Sequence, residues 1–228
     1  MTESAPSGVR VLVVDDDPLV RAALTMVIGG TDDLIVVGEA ADGDEVPDAV
    51  TRTSPDVVLM DIRMPGTDGL AATERLRSGH DGPEVIVLTT FDTNREVLRA
   101  LRAGASGFLL KDTPPAAIVE AVRRVAAGEP MLSPTVTRQL MAHVAEATDP
   151  AASADSRQSS ALAQLDRLSD REREVALAVG RGLSNAQIGA ELFMSVATVK
   201  AHVSRLLTKL EVANRVQIAL LVHDGRLL

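Results

Sequence analysis

The sequence predicts an α/β domain built on a doubly wound, five-stranded parallel sheet, followed by a smaller all-α domain. Through about residue 127, short aliphatic runs alternate with segments of helical spacing. Residues 148–161 are rich in Ala, Ser and Asp, whereas the chain from residue 165 shows helical patterns alone. Alternating strands and helices with short connections favour a parallel sheet covered on both faces. The length of 228 residues fits one or two domains of about 150 residues each.

Each predicted strand is short, apolar and bounded by turn residues, as is typical of strands buried on both faces. Pro18 suits the first turn of a helix, and Gly29 with Gly30 marks its end. The predicted strands span residues 9–14, 34–40, 56–60, 84–90 and 107–110. The predicted helices span residues 18–28, 44–52, 70–77, 95–102 and 115–127. These elements define a first domain over residues 1–128.

Residues 129–164 are predicted to form a linker that contains one helix, at 134–147, because their second half offers little to bury. The second domain, residues 165–228, begins with a capping-box pattern in which Glu172 follows Ser169 by three positions. Further helices are predicted at 184–192, 195–210 and 214–223. A short helix, a tight connection and a longer basic helix are typical of a helix-turn-helix, which binds DNA.

Charge is distributed unevenly along the chain. The net charge is −9, but residues from 161 onward hold nine Lys and Arg against seven Asp and Glu, which leaves a balance of −11 for the first 160 residues. Two such parts suggest two different partners. The chain has no Cys, which excludes disulfides and thiolate metal sites, and its four His residues share no ligand spacing. The polar N-terminus and the lack of any apolar run of about 18 residues predict a soluble, cytoplasmic chain without a membrane segment.

Five polar residues fall at the ends of predicted strands. Asp15 and Asp16 follow the first strand, Asp61 follows the third, Thr89 lies with Thr90 at the end of the fourth, and Lys111 follows the fifth. The carboxyl ends of parallel strands meet at one edge of the sheet. Three carboxylates that converge there need a hard cation between them, which predicts Mg²⁺, with Mn²⁺ as an alternative. Carboxylate, cation, hydroxyl and ammonium together are what an aspartyl phosphorylation site needs.

The stretches VLVVDDD, VLMDIRMPGTDG, VIVLTTFD and GFLLKD resemble the receiver domain of two-component response regulators. The stretch LSDREREVALAVGRGLSNAQIGAELFMSVATVKAHVSRLLTKL resembles the LuxR-type helix-turn-helix. Together they resemble a NarL/FixJ-type response regulator over residues 9–127 and 165–226. This resemblance implies a flavodoxin-like receiver in which a sensor histidine kinase phosphorylates Asp61 and Lys111 contacts the phosphate. It implies no enzyme activity other than the receiver's own phosphotransfer and dephosphorylation.

The resemblance also assigns roles to other residues of the first domain. Asp16 would bind the metal ion directly, Asp15 would help through a water molecule, and the backbone carbonyl of Arg63 would complete the protein's share. Thr89 and Phe108 would form the switch pair that responds to phosphorylation.

Several positions depart from the usual family pattern, among them Gly189 of the helix-turn-helix, where Ala is more common. Asp17 adds a charge where the family often has His or another polar residue, and it either tightens metal binding or only meets solvent. Asp112 follows the predicted phosphate-contacting lysine where many receivers have Pro, so the loop geometry there is left open. Phe108 cannot donate a hydrogen bond as Tyr would, which leaves a switch by packing.

The helix predicted at 195–210 has no acidic residue between positions 198 and 209, and its basic side chains lie opposite an apolar stripe. By position and by resemblance, the residues that point into the major groove are Lys200, Ala201 and Ser204, with Lys200 favouring a guanine edge. The residues predicted to meet phosphates at the helix N-terminus are Ser195 and Thr198. The other predicted phosphate contacts are Asn185, Arg205 and Lys209.

These expectations combine into a switch. Before phosphorylation the acidic receiver would cover the basic helix. A phosphoryl group on Asp61 would draw in Thr89, Phe108 would move inward, and the surface of the fourth and fifth helical units would repack. The released chain would form a homodimer with two recognition helices about 34–36 Å apart on DNA. A dimer face is predicted on the last helix from its surplus of apolar residues, which are Val212, Val216, Ile218, Leu221 and Val222.

Two other functions remain open at this point. One is a DNA-binding regulator that works without phosphorylation and uses its first domain only to dimerise. The other is a Mg²⁺-dependent phosphohydrolase with an Asp nucleophile. Such hydrolases need a second acid two residues after the nucleophile to protonate the leaving group, and here that position is Arg63.

Overall fold

The computed structural model describes residues 8–78, 82–90, 94–132 and 152–227, so the helix predicted at 134–147 lies outside the described residues. The strands are β1 (Val9–Val14), β2 (Leu34–Ala40), β3 (Val57–Asp61), β4 (Glu84–Thr89), β5 (Gly107–Leu110) and β6 (Met131–Leu132). They form one parallel sheet in the order β2-β1-β3-β4-β5-β6. The five predicted strands are confirmed, and the two-residue β6 extends the sheet at the β5 edge.

The helices of the first domain are α1 (Pro18–Gly29), α2 (Val46–Thr53), α3 (Gly69–Arg77), α4 (Asn94–Arg102) and α5 (Pro115–Ala126). One turn of 3-10 helix, Gly43–Glu45, precedes α2 and takes the place of the first residues of the predicted helix there. Alternate residues of β1 point to opposite faces of the sheet, so that Leu12 packs with α2, α3 and α4 while Val13 packs with α1 and α5. The doubly wound prediction is therefore confirmed.

The second domain consists of α6 (Ala152–Leu165), α7 (Asp170–Gly180), α8 (Asn185–Leu192), α9 (Val196–Leu210) and α10 (Arg215–Asp224). Its core is a third cluster of apolar side chains drawn from all five helices. The predicted capping box at the start of α7 is present, since the Ser169 hydroxyl and the Glu172 carboxylate each accept the other's main-chain N–H. Phe193 ends α8 in the left-handed region, with φ of 54°, and Ser195 caps α9. This geometry is a helix-turn-helix.

Part of the predicted linker forms a helix, α6. Ala161 and Leu165, one helical turn apart, are both buried, and Leu165 belongs to the third core. The Ala-rich composition that suggested a linker also has high helix propensity, and two apolar side chains suffice to dock the helix against α10. Among the described residues, no helix has the length and apolar character needed to cross a bilayer.

Candidate functional site

The carboxyl ends of the central strands meet at the edge of the sheet where the sequence predicts a site. β1 and β3 pair in register up to the residues just before Asp15 and Asp61, so the two carboxylates lie side by side. Asp61 is itself the last residue of β3, one residue later than predicted, and it is buried. The main-chain N–H of Lys111 donates to the carbonyl of Thr89 at 2.8 Å, which brings the ends of β4 and β5 to the same edge.

Lys111 links the two buried carboxylates. Its Nζ lies 2.6 Å from Oδ2 of Asp15 and 3.2 Å from Oδ2 of Asp61. The Lys111 side chain is 17% exposed, and those of Asp15 and Asp61 are 0% and 6% exposed. Ion pairs with so little solvent are held by strong Coulomb attraction, but they also carry a desolvation cost. The ammonium therefore balances only part of the negative charge at this edge.

The pKa values of these groups follow from their burial and charges. Burial raises the pKa of the Asp61 carboxyl above its ordinary value; the attraction of Lys111 opposes this rise, and the charge of Asp15 adds to it. Burial alone would lower the pKa of Lys111, but its hydrogen bond to Asp15 and the charge of Asp61 together raise it. Lys111 thus stays protonated, while Asp61 is harder to ionise than a free Asp.

The acidic cluster fits a hard divalent cation. One carboxylate oxygen from each of Asp15, Asp16 and Asp61 lies within 4.8 Å of the others, and Asp16 is exposed to solvent while the other two are buried. Oxygen ligands at this density are those that Mg²⁺ and Mn²⁺ prefer. Asp17 has a different role, because its side chain caps α1 by accepting the N–H of Leu19 at 2.8 Å.

The loop after Asp61 is held by local contacts. Asp68 caps α3 by accepting the N–H of Ala71 at 2.7 Å, and a Cβ atom on Gly69 would overlap the carbonyl oxygen of Asp61. Arg63 lies in this loop, and its guanidinium pairs with Glu96 of α4 at 3.2 Å. The sequence PGTDG therefore closes the loop tightly behind the acidic edge, and Arg63 ties it to α4.

Thr89 and Phe108, the predicted switch pair, are both buried. Phe108 belongs to the apolar cluster beneath α4 and is fully buried. The expected inward movement of Phe108 does not fit this position, because the side chain is already inside. Any switch at this pair has to begin from a buried Phe108 and act by repacking around it.

The residues predicted to meet DNA divide into two groups by their contacts, since Lys200 is exposed and yet bonds the receiver. Five of them are exposed on the surface of α9 or at its start, namely Ser195, Thr198, Ala201, Ser204 and Arg205. The Ser195 hydroxyl accepts the N–H of Thr198 at 3.1 Å, as expected of a helix cap. The others, Asn185, Lys200 and Lys209, are engaged by other parts of the protein.

The end of α5 binds three side chains of the second domain. Lys200 Nζ donates to the carbonyl of Ala126 at 2.9 Å, and Asn185 Nδ2 donates to the next carbonyl, that of Ala127, at 2.7 Å. Arg215 donates to the carbonyl of Gly128 at 3.2 Å, and its guanidinium also bonds Oδ1 of Asn185 at 2.6 Å. The last carbonyls of a helix lack partners within it and carry partial negative charge. The helix-turn-helix thus places two of its predicted DNA contacts on the receiver.

A second set of contacts joins the start of α10 to the end of α4 and to the segment that follows it. Asn214 is buried; its Oδ1 caps α10, and its Nδ2 donates to the carbonyls of Leu101 and Ala105 at 2.8 and 3.0 Å. Gln217 also donates to the carbonyl of Leu101, at 3.0 Å. From the receiver, Arg77 donates to the carbonyl of Ala213 at 3.1 Å.

Lys209 contacts the capping box of α7. Its Nζ lies 2.7 Å from Oε2 of Glu172. This hydrogen bond, together with the main-chain N–H of Ser169, lowers the pKa of Glu172 to about 2. Lys209 therefore links α9 to the start of α7 within the helical domain.

Sequence patterns did not identify Arg77, Asn214, Arg215 or Gln217 as contact residues. An Asn before an apolar helical pattern does predict a helix cap, which Asn214 is. Its second role depends on main-chain carbonyls of the receiver, which have no signature in the sequence. Among the residues proposed for a dimer face, Val216 packs against the receiver core, and Ile218 and Val222 are buried in the second domain's own core.

Both halves of the chain match known protein families. Residues 11–123 match the family described as response regulator receiver domain, and residues 166–222 match the family described as bacterial regulatory proteins, luxR family. The transcriptional regulatory protein LiaR of Bacillus subtilis is 35% identical over 96% of this chain and 99% of its own length. The nitrate/nitrite response regulator NarL of Escherichia coli is 32% identical over 95% of this chain and 96% of its own length.

Solved structures agree with these relatives. The crystal structure of the response regulator ChrA from a heme-sensing two-component system is 39% identical, covers 97% of this chain and all of that one, and superposes with a TM-score of 0.52. An RcsB–DNA complex has the same fold at 21% identity, with 95% of this chain and 98% of that one covered and a TM-score of 0.54. The chain belongs to the two-component response regulators of transcription that join a receiver domain to a LuxR-type DNA-binding domain.

Proposed function

We propose that a sensor histidine kinase phosphorylates Asp61, and that this phosphorylation controls dimerisation and sequence-specific DNA binding. The observation that carries the proposal is the linkage of Asp15, Asp61 and Lys111 at the open edge of the sheet, with Asp16 beside them. Such a protein works where the DNA is, in the cytoplasm. Beyond its own phosphotransfer and dephosphorylation it needs no enzyme activity.

Asp61 acts as the nucleophile. One of its carboxylate oxygens bonds to phosphorus while the bond from phosphorus to the donor's histidine nitrogen breaks, and the electron pair of that bond returns to the imidazole. Lys111 places its ammonium against a phosphoryl oxygen, and Thr89 is drawn toward another. When bound, Mg²⁺ or Mn²⁺ supplies positive charge that offsets the phosphoryl oxygens; Asp15, Asp16, Asp61 and the Arg63 carbonyl would hold it.

In the unphosphorylated chain, the receiver competes with DNA for the same side chains. Asn185 and Lys200 bind consecutive carbonyls at the end of α5, where the helix carries partial negative charge. DNA offers acceptors to the same donors, a phosphate with a full negative charge to Asn185 and a guanine edge to Lys200. The end of α5 therefore occupies donors that the duplex requires, and DNA binding demands that the two domains separate.

The contacts of Asn214 and Gln217 connect this interface to the phosphorylation edge. Their acceptors lie at the end of α4 and before β5, and β5 leads directly to Lys111. Repacking of Thr89, Phe108 and α4 around a phosphoryl group would move these carbonyls and weaken the hydrogen bonds. A net contribution of about 0.5–1.5 kcal/mol per hydrogen bond makes such a release reversible.

After release, α9 enters the major groove. Lys200 favours a guanine edge, with Ala201 and Ser204 beside it, while Asn185 and Arg205 contact phosphates. The main chain at Ser195 and Thr198 meets another phosphate at the N-terminus of α9. Lys209 joins the phosphate contacts only if it leaves Glu172. The face of α10 that includes Val216, once free of the receiver, serves a homodimer with half-sites about 34–36 Å apart.

A direct test compares the wild type with Asp61→Asn, each treated with acetyl phosphate and Mg²⁺. We expect one phosphoryl group per wild-type chain by intact mass and none on the variant. DNA selected from a random pool should be bound more tightly, and as a dimer, only by the treated wild type.

The same experiment separates the alternatives. If Asp61→Asn binds DNA as tightly and as dimerically as the treated wild type, the chain is a phosphorylation-independent regulator. Steady turnover of a small phosphoester, instead of a stoichiometric and slowly lost label, would indicate a hydrolase.

A further inference from the structure

Asp42, which no sequence pattern singled out, joins two loops at the edge of the sheet. It lies between β2 and α2 and accepts three main-chain N–H groups. Its Oδ2 accepts the N–H of Gly66 at 2.9 Å, and its Oδ1 accepts those of Thr67 at 3.1 Å and Asp44 at 3.0 Å. Gly66 and Thr67 belong to the loop that follows Asp61, so one carboxylate ties this loop to its neighbour.

The fit between the two loops is close. A Cβ atom on Gly66 would overlap the Asp42 carboxylate, so a larger residue at this position would displace that carboxylate. The three hydrogen bonds from Asp44, Thr67 and Gly66 hold the pKa of the Asp42 carboxyl below its ordinary value. Asp42 is therefore a charged acceptor at neutral pH, and hydrogen bonds to charged groups are stronger than those between neutral groups.

Asp44 makes a second and more exposed connection. It accepts the hydroxyl of Thr67 at 2.6 Å and pairs with Arg75 of α3 at 3.2 Å. The Asp44 side chain is 68% exposed, and exposed ion pairs contribute little to stability. Unlike Asp42, it binds side chains and leaves the main chain of the loop untouched. It is thus a natural control for Asp42.

The anchored loop is the one that completes the acidic edge. It begins at Asp61, passes through Arg63 and ends at Asp68, which caps α3. At its far end, Gly69 donates to the carbonyl of Ile62 at 2.9 Å. Between these fixed points, the main chain at Gly66 and Thr67 is held by the Asp42 carboxylate. A site that binds a cation gains affinity when its ligands are held in place before binding.

We propose that Asp42 is a positioning residue for phosphoryl transfer, which holds the loop after Asp61 so that the Arg63 carbonyl faces the acidic cluster. The role rests on the proposed function, because it assigns a purpose to the same cation site. Asp42 touches neither the phosphoryl group nor the cation; it acts through the main chain of the loop.

The chemistry of the contact selects the test variant. Asp42→Asn keeps the size of the side chain but leaves one oxygen for three N–H donors, and its amide group meets an N–H instead of accepting from it. We expect the Mg²⁺ concentration for half-maximal phosphorylation by acetyl phosphate to rise roughly tenfold. At saturating Mg²⁺ the rate should fall by less than about threefold, since Asp61 and Lys111 are unchanged. Asp44→Asn, the matched control, should stay within about twofold of the wild type.

Two further measurements do not depend on phosphorylation. Binding of Mn²⁺ alone, followed by electron paramagnetic resonance, should weaken by a similar factor in Asp42→Asn. Hydrogen exchange in the metal-free protein should accelerate at the amides of Gly66 and Thr67 and stay unchanged in β3. If Asp42→Asn does not fold, Gly66→Ala serves instead, because its methyl group displaces the same carboxylate.

The proposal is overturned if the loop amides exchange faster while Mn²⁺ binding and the Mg²⁺ requirement match the wild type. Asp42 would then be a structural contact only. It is also overturned if Asp44→Asn changes the Mg²⁺ requirement as much as Asp42→Asn, because removal of any nearby charge would then suffice. Failure of the wild type to accept a phosphoryl group would refute the proposed function, whereas Mn²⁺ binding and hydrogen exchange would still decide the role of Asp42.

Discussion

Buried ion pairs hold the edge of the sheet, whereas hydrogen bonds from side chains to main-chain carbonyls hold the interface between the domains. At the edge, one ammonium lies between two buried carboxylates. At the interface, side chains such as Asn214 and Lys200 donate to main-chain carbonyls. Breaking a buried ion pair costs about 3–5 kcal/mol, whereas a hydrogen bond contributes about 0.5–1.5 kcal/mol between neutral groups such as Asn214 and its acceptors, and about 1.5–3 kcal/mol when one group is charged, as Lys200 is. Under the proposed function, one local event at the edge of the sheet would therefore act on several individually weaker contacts at the interface.

The largest effect is expected from Lys111→Ala, which removes the ammonium between the two buried carboxylates at the edge of the sheet. Without the ammonium, Asp15 and Asp61 repel each other, and the free energy of unfolding at pH 7 should fall by about 3 kcal/mol. Phosphorylation by acetyl phosphate should slow about 100-fold. Urea denaturation and intact mass follow the two quantities.

The loss of stability in Lys111→Ala should depend on pH. The pKa of Asp61 is already raised in the folded wild type, so the folded state favours the protonated carboxyl. Protonated Asp61 therefore contributes to stability below the ordinary pKa of Asp, and this contribution is lost as pH rises through the raised pKa. Removing Lys111 raises this pKa further. The deficit should therefore shrink as pH falls toward the ordinary pKa of Asp. Lys111→Arg should restore stability more than rate, and equal loss of both would contradict a role for the ammonium at the phosphoryl group.

A second substitution weakens the interface between the domains. Asn214→Asp keeps the oxygen that caps α10 but removes the donor to Leu101 and Ala105 and places a carboxylate against their carbonyls. The unphosphorylated variant should bind the selected DNA roughly tenfold more tightly than the wild type, as measured by fluorescence anisotropy. The phosphorylated proteins should bind equally. A change of the same size in both states would place the effect of Asn214 within the DNA-binding domain.

Glu172→Gln tests a third kind of contact, an ion pair inside the helical domain. The substitution weakens the capping box and the pair with Lys209, and should lower stability by about 1–2 kcal/mol at pH 7. The wild type's advantage depends on a pKa of about 2 against an ordinary 4.5, so it is complete above 4.5 and disappears as pH falls toward 2. Thermal unfolding across this range checks the effect. A pH-independent difference would mean that packing, not charge, stabilises the wild type.

The smallest effect concerns the contacts with DNA. Arg205→Ala should reduce the slope of log affinity against log salt by about one, because one phosphate contact is lost. Lys209→Ala should change the slope less, since Lys209 pairs with Glu172. Equal changes in slope would show that Lys209 leaves this pair when DNA binds.

The site at the edge of the sheet could be predicted from the sequence, whereas the interface between the domains could not. Asp15, Asp61 and Lys111 follow aliphatic runs that fix where strands end, and parallel strands bring such ends together. The acceptors at the interface are carbonyls of residues such as Ala126 and Leu101, and every residue has a carbonyl. The contact of Asp42 with the next loop was missed for the same reason, because its donors are main-chain N–H groups.

Other differences have simple physical causes. The helix α6 was assigned to a linker because polar and Ala-rich composition describes both a solvated chain and a helix with a narrow apolar stripe. Lys209 was assigned to DNA because its partner Glu172 lies 37 positions earlier in the sequence. The movement assigned to Phe108 came from family resemblance, and the side chain is already buried.

Gly128 lies where the receiver meets the second domain, beside Asn185 and Arg215. Its φ is +82°, and a Cβ atom there would lie 2.6 Å from Nδ2 of Asn185. Any other residue at this position would strain the main chain and displace the Asn185 amide, which donates to the carbonyl of Ala127. Under the proposed function, a substitution at Gly128 should weaken the contact between the domains without any phosphorylation.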